Sequence, residues 1–115
     1  MTLTADAYDL PGHTVLAVGG DIDVHTSPTL QGRISDTLES GRHALVVDLS
    51  AVEFLDSSGL GVLVAGLNRA REVGGDLTLV CARANVLKLF EITGLDQVFA
   101  VYPTVAEAVA DVSSV

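Results

Sequence analysis

The chain predicts an α/β domain built on a mostly parallel mixed sheet, and three observations carry that expectation. Apolar, β-branched runs of strand length alternate with stretches of helical period along its length. Turn and cap signals separate these runs: Pro11-Gly12, Thr26-Ser27-Pro28, Gly41, Gly74-Gly75, Gly94 and Pro103. With 115 residues, 49% hydrophobic and 18% charged, the chain has apolar material for one packed core. A single domain spanning 1–115 is expected.

The elements follow in order. Thr2 to Asp9 alternates loosely, Pro11-Gly12 turns the chain, and His13 to Gly19 reads as a second strand, so the start is a β-hairpin. Thr26-Ser27-Pro28 places a hydroxyl cap before a first-turn proline. Leu30, Ile34 and Leu38 continue that helix, and Gly41 closes it. Ala44 to Leu49 is a central strand covered on both faces. A helix from Leu60 to Val73 sets Leu60, Leu63, Val64, Leu67 and Ala70 on one stripe, with Asn68, Arg69, Arg71 and Glu72 facing water. Asp76 to Cys81 is a strand, Ala84 to Thr93 a helix, and Val98 to Tyr102 a short last strand. Thr104 with Glu107 three residues on is a capping-box pattern for a C-terminal helix. The order is therefore β-β-α-β-α-β-α-β-α, without internal repeat, low-complexity tract or linker. Strands separated by helices run parallel, and the hairpin supplies the antiparallel pair.

Charge narrows the partners. Six Lys+Arg stand against fifteen Asp+Glu, a formal net charge of −9, and Lys88 is the only lysine. Such a chain is repelled by phosphate backbones and anionic lipid, so neither nucleic acid nor a membrane surface is an expected partner. A protein with a basic or mixed face fits better. Cys81 is the single cysteine and excludes an intramolecular disulfide; an inert buried thiol is expected there. Residues 1–6 lack the basic and apolar regions of a signal peptide, and no apolar run reaches the ~18 residues of a membrane span. A cytoplasmic protein is expected.

Asp56-Ser57-Ser58-Gly59-Leu60-Gly61 joins the central strand to the second helix. Serine and aspartate before a helix often do no more than cap it, and glycine there can serve only close packing. Three features ask for more. Each glycine in the first turn costs about 0.8–1 kcal/mol relative to alanine. A cap needs no second serine. The carboxyl end of a central strand is where open α/β sheets place their sites.

An exposed serine at a helix N-terminus, where the dipole tolerates an anion, has two chemical uses: nucleophile or phosphate acceptor. Gly-x-Ser-x-Gly is absent, and of His13, His25 and His43 only His25 lies in a loop that can approach. One candidate base without a nucleophile elbow is thin support for catalysis, and no enzymatic activity is expected. A phosphoryl group would add about −1.5 to −2 charges beside Asp56 and act on whatever docks there, with the fold unchanged.

Asp21 and Asp23, in Gly19-Gly20-Asp21-Ile22-Asp23-Val24-His25-Thr26, can fall at the same sheet edge as Asp56. They read equally as turn-capping carboxylates or as partner contacts. The spacing of Asp21, Asp23 and Asp56 matches no metal cage, and there is neither a phosphate-cradling Gly-Lys-Ser/Thr loop nor a Cys/His cluster. No cofactor or metal is expected.

With these residues placed, the chain resembles STAS-domain proteins, in particular stand-alone anti-sigma factor antagonists. Gly20-Asp21-Ile22-Asp23 with Thr26-Ser27-Pro28 is similar to the family's Gly-Glu-Leu/Ile-Asp segment before its first helix. Val46-Val47-Asp48-Leu49-Ser50 and Phe54-Leu55-Asp56-Ser57-Ser58-Gly59-Leu60-Gly61 resemble its phosphorylation loop, and Leu87 to Leu95 its late helix ending in Gly-Leu. The resemblance spans essentially the whole length and implies a STAS-like fold.

It also implies a mechanism. The unphosphorylated antagonist binds an anti-sigma factor that is itself a serine kinase, which frees a sigma factor. Phosphorylation ends the interaction, and a PP2C-type phosphatase resets it. The acceptor position maps to Ser57, with Asp21, Asp23, Asp56, Ser58, Gly59 and Leu60 as expected partner contacts. Asp21 departs from the usual glutamate and shortens its reach, which favours Asp23 for contact. Oligomeric state is left open. A STAS scaffold or ligand-sensing module without loop phosphorylation is the other function compatible with the resemblance. A receiver-type domain phosphorylated at Asp48 is rejected: Tyr102-Pro103 lacks the preceding lysine, and Lys88 falls inside a helix.

Overall fold

The computed structural model describes residues 3–113. Its elements are β1 (Leu3–Leu10), β2 (His13–Ile22), α1 (Ser27–Glu39), β3 (Ala44–Leu55), α2 (Ser57–Glu72), β4 (Asp76–Val80), α3 (Ala84–Thr93), β5 (Val101–Tyr102) and α4 (Val105–Ser113). The expected order holds. Thr2, placed by the sequence in the first strand, lies outside the described residues. The expected strand from Val98 shortens to Val101–Tyr102, because a 3-10 turn at Leu95–Gln97 buries Phe99 against Phe90, ring centroids 6.0 Å apart.

The five strands lie in sequence order, β1-β2-β3-β4-β5. β1 and β2 are antiparallel, and every later pair is parallel. Parallel strands added one after another by right-handed crossovers place all their helices on one face. The core divides accordingly. Leu16, Val18, Leu45, Val47, Leu77 and Leu79 share one cluster with apolar residues of α1, α2 and α3, including Leu30, Leu63 and Phe90. The other face has a smaller cluster, Val15, Val46 and Val80, closed by Ala108 of α4.

Gly66 is a packing glycine that helical period alone does not reveal. A side chain there would meet Leu77 Cδ1 at 3.1 Å and Ile34 Cγ2 at 3.2 Å, so its absence lets α2 settle against α1 and β4. The helix ends behave largely as their residues dictate. Gly41, Gly74 and Gly94 adopt positive φ after α1, α2 and α3. The Thr104 hydroxyl accepts the Glu107 N–H at 3.1 Å.

Candidate functional site

The segment expected as a loop between Leu49 and Leu60 contains a single junction residue, Asp56. β3 continues to Leu55 and α2 begins at Ser57. The strand extends because β2 supports it, pairing Gly19 with Ala51, Asp21 with Phe54 and Ile22 with Leu55 through two register shifts. Its polar sequence follows from one-sided support. β4 pairs only with Ala44–Asp48, and beyond that Arg83 Nη2 donates to Ser50 O (3.4 Å) and Asn85 Nδ2 to Glu53 O (3.5 Å).

Asp56 is extended, at φ −108° and ψ −174°, and caps α2. Its Oδ1 accepts the Ser58 N–H at 2.9 Å and the Gly59 N–H at 3.2 Å, together with the Ser58 hydroxyl. Two first-turn donors that an anion would seek are thus already taken by the chain's own carboxylate. The expected oxyanion-stabilising helix end is corrected to a self-capped one. Ser57 is exposed at the first helical position, and its hydroxyl has no hydrogen bond to the described residues. Of the two adjacent serines, one hydroxyl is committed and one is free.

The neighbours sort differently from the sequence expectation. Gly59 is buried, and a Cβ there would strike Leu55 Cδ1 and stand 2.5 Å from Ile22 Cγ2. Leu60 is buried in the main core. Neither offers side-chain surface to a partner, since both hold α2 down on the ends of β2 and β3. Gly61 is exposed, and a Cβ there would meet nothing within 4 Å.

The acidic loop does lie at the same edge: the Asp56 N–H donates to Ile22 O at 3.1 Å. Asp23 is only 6% exposed, and its Oδ1 accepts the His25 N–H (2.8 Å), the Thr26 N–H (3.0 Å) and the Thr26 hydroxyl (3.3 Å). The Thr26 hydroxyl also accepts the Asp23 N–H and donates to Asp21 O, so it braces the loop and makes no cap bond to α1. Asp23 is therefore a structural carboxylate, and the half-buried Asp21 is the more available of the two. Sequence reasoning missed Thr26 in this bracing role; its place three residues after Asp23, the reach of a carboxylate cap to a backbone N–H, is the signal that carries it.

Two carboxyls here ionise below the ordinary value of 3.8. At Asp56 the Ser58 hydroxyl bond is the largest cause; burial and the nearby Asp23 charge oppose it, and the Gly59 and Ser58 N–H groups add to it. At Asp23 burial acts upward, but the Thr26 and His25 N–H bonds and the Thr26 hydroxyl outweigh it. A depressed carboxyl stabilises the fold fully above its unfolded value. That contribution is lost as pH falls through the lower folded value. Asp56→Ala should cost about 1 kcal/mol at pH 7, and Asp56→Asn only a few tenths. Thermal melts at neutral pH and near pH 3 should show the wild-type advantage over Asp56→Ala shrinking in acid. An advantage that is unchanged would refute the capping account.

Cys81 is buried, and burial pushes its thiol upward. Among the described residues no helix is long and apolar enough to cross a membrane, and no three His, Cys, Asp or Glu group to hold a metal.

Fold and site together define a class: a mixed-sheet α/β domain presenting one free serine hydroxyl at the start of the helix after its central strand. The STAS domain model matches residues 4–108, and the chain belongs to the STAS domain family. It is 35% identical over 113 residues to the anti-sigma-F factor antagonist RsfB of Mycobacterium tuberculosis, covering 96% of this chain and 90% of that protein. It is 31% identical over 98 residues to the anti-sigma-B factor antagonist of Bacillus subtilis, covering 85% and 89%. The crystal structure of an anti-sigma factor antagonist from Mycobacterium paratuberculosis superposes with a TM-score of 0.90 at 36% identity, covering 97% of this chain and 95% of that one.

Proposed function

We propose that the chain is an anti-sigma factor antagonist whose binding is switched off by phosphorylation of Ser57. In the unphosphorylated state it binds an anti-sigma factor and frees a sigma factor in the cytoplasm. That anti-sigma factor acts as the serine kinase, a PP2C-type phosphatase restores the free hydroxyl, and the chain itself catalyses nothing. One observation carries the choice of residue: Ser57 is exposed and unbonded, whereas the Ser58 hydroxyl is held by Asp56.

The switch follows from charge. Phosphate on Ser57 places about −1.5 to −2 charges next to Asp56. Two helix N–H groups that would compensate it are already bonded to Asp56. The new charge is therefore presented to the partner and raises the cost of docking.

The test is reconstitution with the anti-sigma factor from the chain's own cell and Mg-ATP, followed by mass mapping. A single phosphoryl group on Ser57 is expected. Phosphate found consistently on Ser58 or Asp48 would refute the assignment.

A further inference from the structure

We propose that Val24 and Phe54 are apolar anchors at the strand end that carries Ser57, seating in apolar pockets of a partner protein whose rim is cationic. This rests on the antagonist reading above and names the surface through which it acts. Val24 is 65% exposed and Phe54 48% exposed, although both are large apolar side chains. The β2–β3 register puts both near the carboxyl ends of these strands: Phe54 lies opposite Asp21, on the sheet face away from the main core, and Leu55 lies opposite Ile22, two residues before Val24.

The exposure of Val24 is built in. Its turn is fixed by the Asp23 carboxylate to the His25 and Thr26 N–H groups, and by Thr26 Oγ1 to Asp21 O at 2.8 Å. A side chain held outward in this way loses little freedom on binding. Phe54 is fixed in β3 immediately before Leu55, which packs inside the main core. Gly61 lies one helical turn beyond Ser57 on the same face of α2, and nothing inside the chain requires a glycine there. A bare position beside the free hydroxyl leaves room for a partner's backbone.

Charge selects the occupant. Residues 19–26 and 53–61 offer the carboxylates of Asp21 and Glu53, with Asp23 and Asp56 bonded within the chain, and contain neither lysine nor arginine. A second copy would oppose like charge with like charge, and nucleic acid would be repelled for the same reason. A protein surface with cations around an apolar pocket satisfies both the carboxylates and the two anchors.

Calorimetric titration of the unphosphorylated chain with its cognate anti-sigma factor tests this. Phe54→Ser and Val24→Ser should each weaken binding, Phe54→Ser at least about tenfold, with melting temperatures near wild type because both side chains are exposed. Tyr8→Ser, an exposed apolar position near the opposite end of the sheet, should bind as wild type. Affinity should also fall as salt rises from about 0.05 to 0.5 M. Wild-type affinity in both anchor variants overturns the proposal, as does affinity indifferent to salt. Sedimentation showing that the anchors hold a homodimer would assign the surface to a second copy and overturn it as well. Failure of the wild-type chain to bind any anti-sigma factor would instead remove the antagonist reading, and this surface with it.

Discussion

Ser57→Ala is expected to abolish phosphorylation of the chain while its affinity for the anti-sigma factor stays within about twofold of wild type. The side chain is exposed and makes no hydrogen bond to the described residues, so its removal should change stability by no more than about 0.5 kcal/mol. In the cell such a variant would hold the anti-sigma factor permanently. Ser57→Asp should weaken binding about tenfold and the phosphorylated wild type by about a hundredfold, because one carboxylate carries less charge than a phosphoryl group. Titration of the three forms against one anti-sigma factor decides the matter. Equal affinities would refute the charge-repulsion mechanism even if Ser57 proved to be the acceptor.

The largest stability effect is expected far from the switch. Gly75→Ala should destabilise the fold by about 2–3 kcal/mol, the upper part of the range for forcing extra volume into packed structure. A Cβ at Gly75 would strike His43 O and stand 2.5 Å from His43 Cβ and 2.7 Å from its carbonyl carbon. Two of these three atoms are backbone and cannot turn aside. The Asp76 N–H also donates to His43 O at 3.0 Å, so the start of β4 cannot withdraw without breaking its first bond to the β3 side of the sheet. Thermal denaturation should show Tm lower by about 10 °C. A Tm within about 2 °C of wild type would mean that the junction is softer than its geometry indicates.

Gly74 and Gly75 show where sequence reading stops. Both read as a helix stop, and Gly74, at φ +82°, is that stop. The second glycine answers to His43, over thirty residues earlier in the chain. The same distinction runs through the candidate site. Gly59 and Gly61 both look like surplus glycines in one helical turn. Gly59 is required by Leu55 and Ile22, whereas Gly61 faces open space. Asp21 and Asp23 look equivalent, and the reach argument even favoured Asp23. The Thr26 bonds consume Asp23 and leave Asp21.

The sequence by itself determined the order of the elements, most helix ends and the Asp56–Gly61 segment as the stretch of interest. Those features are written in caps, turns and periodicity among residues a few positions apart, where local backbone preference is decisive. Tertiary structure alone decided that β3 runs on to Leu55, that Asp56 is the entire junction, and that Ser58, Gly59, Leu60 and Asp23 are committed inward. Each depends on what β2, β4 and α3 bring through space, and register and close approach between distant segments leave no local signature. The free hydroxyl of Ser57 is therefore a tertiary property: its neighbours are occupied, and it is not.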